Sequence, residues 1–268
     1  MPSLIEITSF SNAHVKDAVK LRERSLRDKT SLMIVEGLRE VTRAFDSGIL
    51  CQDIYCSKKF FDENKEDSFV KEIVQNAENV FLLKEEVFEK ICFGKRNEGI
   101  LVVCKQPHYK FSDLKLSKNP LVVVVESLEK PGNLGAILRT CDGAGVEAII
   151  VCDQLTDIYN PNVVRSSTGA VFLMPIVKAT SEEAVQFLKE KKISICATFL
   201  GANKKYTQID MNKPIAFVAG NEQRGLDDFW RDAADDLVFI PMAGKVDSLN
   251  VSVATSIVLY EAVRQRNK

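Results

Sequence analysis

The last predicted helix of this 268-residue chain is apolar on every side, and it constrains the fold more than any other stretch. A short apolar strand, residues 237–240, ends at Pro241, which cannot donate a hydrogen bond to a sheet. A glycine-containing loop follows, and a helix is predicted from about Leu249 almost to residue 268. Its apolar residues surround the axis instead of forming one stripe: Leu249, Val251, Val253, Ala254, Ile257, Val258, Leu259, Ala262 and Val263. We expect such a helix to be covered on several sides.

Two small polar residues, Ser248 and Asn250, stand at the start of this helix. Ser248 is a candidate N-cap, because a serine oxygen can accept a hydrogen bond from a free N–H group of the first turn. One cap does not need both residues. Capping therefore does not explain Asn250, and we interpret the loop before it as a segment that places backbone groups against a ligand.

Length and composition exclude several classes of protein. A chain of 268 residues with 46% hydrophobic residues favours about two domains. No wholly apolar run is longer than five residues, the length of the run at residues 121–125, which is far too short to span a membrane, and Glu6 interrupts any signal-like segment. The seven cysteines form no Cys-x-x-Cys pair and there are only two histidines, which disfavours a zinc site. Free thiols in a reducing compartment fit best, so we expect a cytoplasmic protein with no membrane segment.

Charge is distributed locally and not globally. The net charge is −1, from 36 basic and 37 acidic residues, so the whole chain has no nucleic-acid signature. Residues 11–29 nevertheless carry six basic and three acidic side chains, and they are predicted as one helix with Val15, Val19 and Leu26 facing inward. Taken alone, this pattern is typical of a solvated amphipathic helix.

The order of the predicted elements indicates two α/β domains. Residues 1–105 alternate short helices and strands, as expected for a compact module of about a hundred residues. Residues 106–119 contain Pro107 and several lysines with little periodicity, and we interpret them as a linker. From residue 120 to 268 the strands are longer and more apolar, which predicts a second α/β domain.

The strand, loop and helix at residues 121–139 raise the alternative of a dinucleotide-binding fold, since a helix N-terminus close to glycines suits phosphate. The order Gly132-Asn133-Leu134-Gly135 lacks the Gly-x-Gly-x-x-Gly spacing, so a Rossmann oxidoreductase is disfavoured. Asn133 is also a candidate helix cap, and Arg139 a candidate surface charge.

Three segments resemble the motifs of the SpoU/TrmH family of SPOUT methyltransferases. They are PGNLGAILRT at residues 131–140, FVAGNEQRGL at 217–226 and IPMAGKVDSLNVSVA at 240–254. A shorter segment, MIVEGLR at residues 33–39, resembles the N-terminal domain that members of this family often carry. Members of the family transfer a methyl group from S-adenosylmethionine to a ribose 2′-hydroxyl of RNA.

The resemblance implies a fold and a reaction. The fold would be α/β, with a C-terminal SPOUT domain tied in a deep trefoil knot and a small N-terminal α/β domain, similar to ribosomal proteins, that binds RNA. The chain would form a homodimer through its last helix. Ribosomal RNA is the favoured substrate; a transfer RNA methyltransferase and a non-catalytic RNA-binding or ribosome-assembly protein on the same fold are the alternatives.

The resemblance also assigns the site residues. The catalytic group would be Arg139, Asn133, Glu222, Ser248 and Asn250. S-adenosylmethionine would bind, chiefly through backbone groups, at Gly220, Ile240 and Leu249, with Ala219 and Met242 beside them. RNA would be held by Lys20, Arg22, Arg24 and Arg39. No metal is expected. Two roles for Arg139 stay open: a base, as the family assigns, or a cation that stabilises the developing alkoxide and grips a phosphate, since a guanidinium stays protonated.

Overall fold

The computed structural model describes residues 4–93, 97–199, 201–221 and 224–267. The chain divides into two compact units, one made of Met1–Pro107 and Ile158–Leu173, the other of His108–Asp157 and Met174–Lys268. The predicted domain borders at residues 105 and 120 divide the sequence into continuous segments, and they stay a prediction. They did not anticipate that residues 158–173 belong to the first unit.

The elements of the chain up to Pro107 are β1 (Leu4–Ile7), α1 (Ala13–Lys20), α2 (Arg24–Thr30), β2 (Leu32–Glu36), α3 (Leu38–Asp46), β3 (Cys51–Ser57), α4 (Lys58–Asn64), α5 (Ser68–Asn76), β4 (Asn79–Leu83), α6 (Glu85–Ile91) and β5 (Ile100–Lys105). The elements after Pro107 are β6 (Leu121–Glu126), α7 (Pro131–Gly143), β7 (Ala148–Cys152), α8 (Pro161–Ser166), β8 (Ile176–Ala179), α9 (Ser181–Glu190), β9 (Ser194–Thr198), β10 (Lys204–Lys205), β11 (Ile215–Ala219), α10 (Asp228–Ala233), β12 (Asp236–Phe239) and α11 (Val251–Arg266).

The first unit is built on a five-stranded sheet in the order β1-β4-β3-β5-β2, with β5 antiparallel to both neighbours. Apolar side chains of α1 and α6, among them Val15 and Phe88, pack on one face over Phe81. The opposite layer contains α3 and α5, which meet through an edge-to-face contact of Phe45 with Phe69. The sheet therefore separates α1 and α2 from α3.

The basic segment at residues 11–29 is two helices and not the single helix predicted. Arg22 lies in the turn between them, and its guanidinium donates hydrogen bonds to the backbone carbonyls of Lys90 and Cys92. The buried Arg27 donates to the carbonyls of Leu21 and Arg22. Two arginines thus fix the turn by satisfying carbonyl groups at helix ends.

The second unit is built on a seven-stranded sheet in the order β10-β12-β9-β11-β6-β7-β8, and its strand pairs are parallel. The central strands are buried on both faces, which explains their near-continuous apolar sequences. Since the strands are parallel, the loops that follow β6, β11 and β12 leave the sheet at one edge.

Helix α11 is covered on one side only within the single chain. Its buried residues include Thr255, Val258, Leu259 and Ala262. Val253 and Tyr260 are exposed on the other side of the helix. The prediction of a helix covered on several sides is therefore not met within one chain.

The C-terminal end of α11 is fixed by Arg266. Its guanidinium donates hydrogen bonds to the backbone carbonyls of two separate segments: Asn119, Pro120, Met211 and Lys213. Hydrogen bonds from a charged donor are stronger than those between neutral groups. The last turn of the helix is thereby held against the loops that precede β6 and β11.

Two further features of the chain bear on its environment. The seven cysteines are all buried and free. Within the described ranges, no helix combines the length and apolar character that crossing a membrane requires.

Candidate active site

The carboxyl edge of the seven-stranded sheet brings the three motif-bearing loops together. The loop after β6 leads into α7, the loop after β11 begins at Gly220, and the loop after β12 leads into α11. Strands β6 and β11 are direct neighbours. In open parallel sheets, ligands bind outside the carboxyl ends of the strands, so this edge is the candidate active site.

Gly220 lies where backbone approaches backbone. A Cβ atom on this residue would lie 2.6 Å from the carbonyl carbon of Gly225, so no other residue fits without moving the loop. Asn221 closes the loop with two backbone hydrogen bonds to Gly225, of 3.1 and 3.0 Å, and Gly225 adopts φ +71°. The predicted catalytic Glu222, between the two glycines, lies outside the described residues.

The side chain of Asn221 joins this loop to the loop after β6. Its Nδ2 donates to the carbonyl of Ser127 at 2.9 Å and to Oε1 of Glu129 at 3.2 Å. The sequence-based selection of residues missed Asn221, although it lies inside the second motif. A polar amide directly after a glycine at a strand end is the signal that identifies it.

The predicted cofactor residues follow the same edge. Ala219 is the buried last residue of β11, and Gly220 follows it. Ile240 directly follows β12 and is half-buried, as is Leu249 before α11, whereas Met242 is exposed. Close packing of backbone here, with Gly220 at its centre, offers main-chain donors and acceptors to an adenine edge. The cofactor assignment of these five residues stays a prediction.

Helices α7 and α11 pack side by side in the same direction. Nδ2 of Asn250 donates to Oδ1 of Asn133 at 3.1 Å, at the start of both helices. Further along, the hydroxyls of Thr140 and Ser256 lie 3.0 Å apart. Both N-termini therefore open at the same place, and their combined partial positive charge favours an anion or an electron-rich oxygen there.

The N-cap of α11 is Asn250 and not Ser248, and the helix begins at Val251, two residues later than predicted. Oδ1 of Asn250 accepts hydrogen bonds from the backbone N–H of Ser252 at 2.9 Å and from the Ser252 hydroxyl at 2.6 Å. The interpretation that capping does not explain Asn250 is therefore wrong. Asn250 uses its oxygen for the cap and its amide nitrogen for Asn133, while Ser248 is exposed in the preceding loop.

Arg139 is exposed on α7. It lies six positions after Asn133, which corresponds to about 9 Å along the helix axis and about 120° around it. The structure therefore brings Asn133 and Asn250 into contact, while Arg139 projects from another side of α7.

Glu126, the last residue of β6, is a carboxyl group with a shifted acidity. Burial, followed by the nearby carboxylates of Asp227 and Asp153, raises its pKa from 4.5 to about 7. Its exposed fraction is 8%. This residue lies at the carboxyl end of β6, on the candidate edge, and the sequence-based selection of site residues did not include it.

The four predicted RNA-binding residues do not share one surface of the first unit. Lys20 and Arg24 are exposed on α1 and α2, each paired with a helical neighbour, Asp17 and Asp28. Arg22 donates to backbone carbonyls of α6 and its C-terminal end, and Arg39 is exposed on α3 in the opposite layer.

Among the described residues, no group of three or more His, Cys, Asp or Glu side chains could hold a metal ion.

Comparison with family models covers most of the chain. Residues 120–260 match the model described as the SpoU rRNA Methylase family. Residues 12–102 match the model described as the MRM3-like substrate binding domain. The first match includes the loops after β6, β11 and β12, and the second includes α1, α2 and α3.

Individual relatives show the same similarity, some over nearly the full length and others over about two thirds of the chain. The chain is 28% identical over 255 residues to the 23S rRNA (guanosine(2553)-2′-O)-methyltransferase RlmP of Bacillus subtilis, covering 95% of this chain and 98% of that protein. It is 37% identical over 176 residues to the 23S rRNA (guanosine-2′-O-)-methyltransferase RlmB of Pectobacterium atrosepticum, covering 63% and 72%. An AdoMet-bound rRNA methyltransferase from Sinorhizobium meliloti superposes with a TM-score of 0.89 at 31% identity, covering 97% and 98% of the two chains.

The raised pKa of Glu126 predicts a pH-dependent effect of Glu126→Gln. Because the folded-state pKa of about 7 lies above the ordinary 4.5, the folded protein retains a proton that the unfolded chain has lost. Wild-type stability therefore falls as pH rises between these values. Glu126→Gln should leave the free energy of unfolding nearly unchanged near pH 4.5 and raise it by roughly 1–3 kcal/mol at pH 8.

Urea unfolding at several pH values between 4.5 and 8 measures this difference. Glu89→Gln, which removes an exposed carboxylate from α6, controls for the loss of one negative charge. A stability difference between Glu126→Gln and wild type that does not change with pH would contradict the raised pKa.

Proposed function

Because the chain belongs to the SpoU rRNA methylase family, we propose that it transfers a methyl group from S-adenosylmethionine to a ribose 2′-hydroxyl of 23S ribosomal RNA. The observation that carries this proposal is the direct contact of Asn133 with Asn250. It joins the first and third motifs at the N-termini of two parallel helices, beside the loop of Gly220.

The predicted family, fold class, reaction class and cofactor are confirmed. The fold is α/β, with a parallel methyltransferase sheet and an N-terminal substrate-binding domain. Relatives along the full length are named as 2′-O-methyltransferases of 23S rRNA, and a similar structure contains AdoMet. The deep trefoil knot stays a prediction. The buried free thiols also support our proposal of a cytoplasmic protein.

The reaction is an in-line displacement. S-adenosylmethionine supplies a methyl group on a sulfonium cation, whose sulfur keeps the electron pair of the broken carbon–sulfur bond. The ribose oxygen forms the new bond to the methyl carbon, and its proton passes to water, or to Arg139 if the arginine acts as a base. The protein has to hold the acceptor oxygen near that carbon and stabilise negative charge on it.

The candidate edge can meet both requirements. The close-packed loop at Gly220, with Ile240 and Leu249, would hold the cofactor through backbone groups. The amides of Asn133 and Asn250 and the positive helix ends would orient the ribose and stabilise its oxygen. Arg139 would act as a cation that stabilises the alkoxide and binds the adjacent phosphate, because a guanidinium keeps its proton.

The relatives support ribosomal RNA over transfer RNA as the substrate. RlmP is named for a guanosine, and a relative from Streptomyces viridochromogenes, 28% identical over 277 residues, for a uridine, both in 23S rRNA. The 2′-hydroxyl is common to all nucleotides, so we infer that selection of the nucleotide depends on contacts outside the reacting group. A non-catalytic RNA-binding protein is the second candidate, and its mark would be RNA binding without cofactor binding.

Substitution of Arg139 tests the reaction and separates the two roles of the arginine. Arg139→Ala should abolish methyl transfer and leave the affinity for S-adenosylmethionine nearly unchanged, measured by calorimetry in chelator. Arg139→Lys keeps the charge but loses the planar fork that binds phosphate. If the residue stabilises charge, the lysine variant should lose the rate by about 100- to 1000-fold at every pH.

A base role would give another result. A desolvated lysine can lose its proton, so Arg139→Lys would then keep substantial activity, with a pH profile shifted towards neutrality. Arg231→Lys, at an exposed residue of α10, is the matched control for the substitution itself. Absence of heat for both S-adenosylmethionine and its demethylated product with the wild-type protein would refute the enzyme and leave the RNA-binding alternative.

We propose that the first unit holds the RNA, chiefly through the layer of α1 and α2. This layer presents the exposed cations Lys20 and Arg24, and the matched substrate-binding domain includes it. Arg22 is a poorer probe, because its bonds to the carbonyls of Lys90 and Cys92 give it a structural role. Arg39 lies on the other side of the sheet from α1 and α2, so its substitution serves as the comparison for theirs.

The double charge reversal Lys20→Glu and Arg24→Glu should weaken binding of a 23S rRNA fragment. Each lost phosphate contact should reduce the salt dependence of the logarithm of affinity by roughly 0.7–0.9. Arg39→Glu should have the smaller effect, because it tests the opposite layer. Fluorescence titration at several salt concentrations measures both effects. Unchanged affinity of the double variant would show that the basic residues of α1 and α2 face solvent and do not bind RNA.

We also propose a homodimer formed through α11. The exposed fractions of Val253 and Tyr260 are 47% and 52%, although the helix is apolar around its axis. A second copy would cover these residues. Since Arg139 projects away from Asn133 on α7, a dimer would also let it act in the site of the partner subunit.

Light scattering should give twice the chain mass of 30.0 kDa at micromolar concentration. Val253→Asp should shift the protein towards the monomer, because it places a charge in the proposed apolar interface. Leu50→Asp, at an exposed apolar residue of the first unit, should not change the mass. A wild-type mass of a single chain would refute the dimer.

A further inference from the structure

The oxygen and the nitrogen of the Asn250 side-chain amide form hydrogen bonds with different partners. Its oxygen accepts from the backbone N–H and from the hydroxyl of Ser252, at 2.9 and 2.6 Å. Its nitrogen donates to Oδ1 of Asn133 at 3.1 Å. One serine therefore supplies both hydrogen bonds on the oxygen side.

These two donors determine which way the amide faces. A carboxamide oxygen accepts two hydrogen bonds, whereas the NH2 group accepts none. If the amide were turned over, its NH2 group would meet the backbone N–H of Ser252, and the capping bond would be lost. The hydroxyl of Ser252 adds a second bond to the same oxygen, which fixes the amide more tightly and polarises its N–H groups.

The orientation is passed on to Asn133. Because Oδ1 of Asn133 receives the amide of Asn250, the NH2 group of Asn133 has to point away from Asn250. Asn133 is the third residue of α7, at the paired helix N-termini on the candidate edge. Donors in this position suit the ribose oxygen, whose negative charge grows in the transition state.

We propose that Ser252 is a positioning residue that acts through Asn250 to orient the amide of Asn133 towards the ribose. This inference rests on the proposed methyl transfer. Ser252 would not touch the RNA or the cofactor. Removing its hydroxyl should therefore slow the transfer step without changing either affinity.

Ser252→Ala and Ser252→Thr test this role. The alanine variant should lower the single-turnover rate of methyl transfer to a 23S rRNA fragment by about tenfold, the scale of one lost neutral hydrogen bond. The dissociation constants for S-adenosylmethionine and for the fragment should stay unchanged. The threonine variant keeps the hydroxyl and should restore most of the rate.

Two comparisons separate positioning from helix packing. Ser256→Ala removes a hydroxyl one turn further along α11, which contacts Thr140 and not Asn250, so its loss of rate should be clearly smaller. In an Asn133→Ala background, Ser252→Ala should cause no further loss of rate, because the amide that Ser252 orients through Asn250 is already absent.

The outcomes are distinct. An additive double variant, an equal loss in Ser256→Ala, or full activity of Ser252→Ala would overturn the role of Ser252 and leave the methyltransferase intact. A wild-type protein that transfers no methyl group would refute the proposed function, and this inference with it.

Discussion

The parallel packing of α7 and α11 is the contact on which the candidate site depends. The two helices come from motifs more than a hundred residues apart, and Asn133 and Asn250 meet across 117 positions of the chain. Their common direction places two positive helix ends at one point. Had the helices run antiparallel, a positive and a negative end would meet there, and the preference for an anionic oxygen would be lost.

The sheet supplies the second half of this arrangement. Its parallel strands release the loops of Gly220 and Ile240 at the same edge, and Asn221 ties the first of these to the loop that leads into α7. The site thus combines a backbone-rich side, suited to a cofactor, with an amide-rich side at the helix ends, suited to a ribose.

The strands of this unit could be predicted because burial on both faces makes them continuously apolar, and the apolar run at residues 121–125 lies within β6. The start of α11 was misplaced because Ser248 and Asn250 are both good caps, and local sequence does not choose between them. The single basic helix was wrong for a longer-range reason: the carbonyls that bind Arg22 lie 68 and 70 residues away. The motif residues were identified from sequence, but the contact of Asn133 with Asn250, the direction of Arg139 and the roles of Ser252 and Asn221 depend on tertiary structure.

Residues 158–173 lie between β7 and β8 in the chain, yet they belong to the first unit, where Arg43 donates hydrogen bonds to the backbone carbonyl and hydroxyl of Thr168, and Arg165 donates to the carbonyl of Phe93. The compact unit that contains the matched substrate-binding domain is thus discontinuous in sequence, because its second piece lies inside the stretch that matches the methylase family. A chimera that exchanged only the residues before the linker with those of a relative would pair a foreign Arg43 position with the resident Thr168. Exchanging the whole of this unit therefore requires two cuts inside the stretch that matches the methylase family, and the recipient has to accept both pieces together.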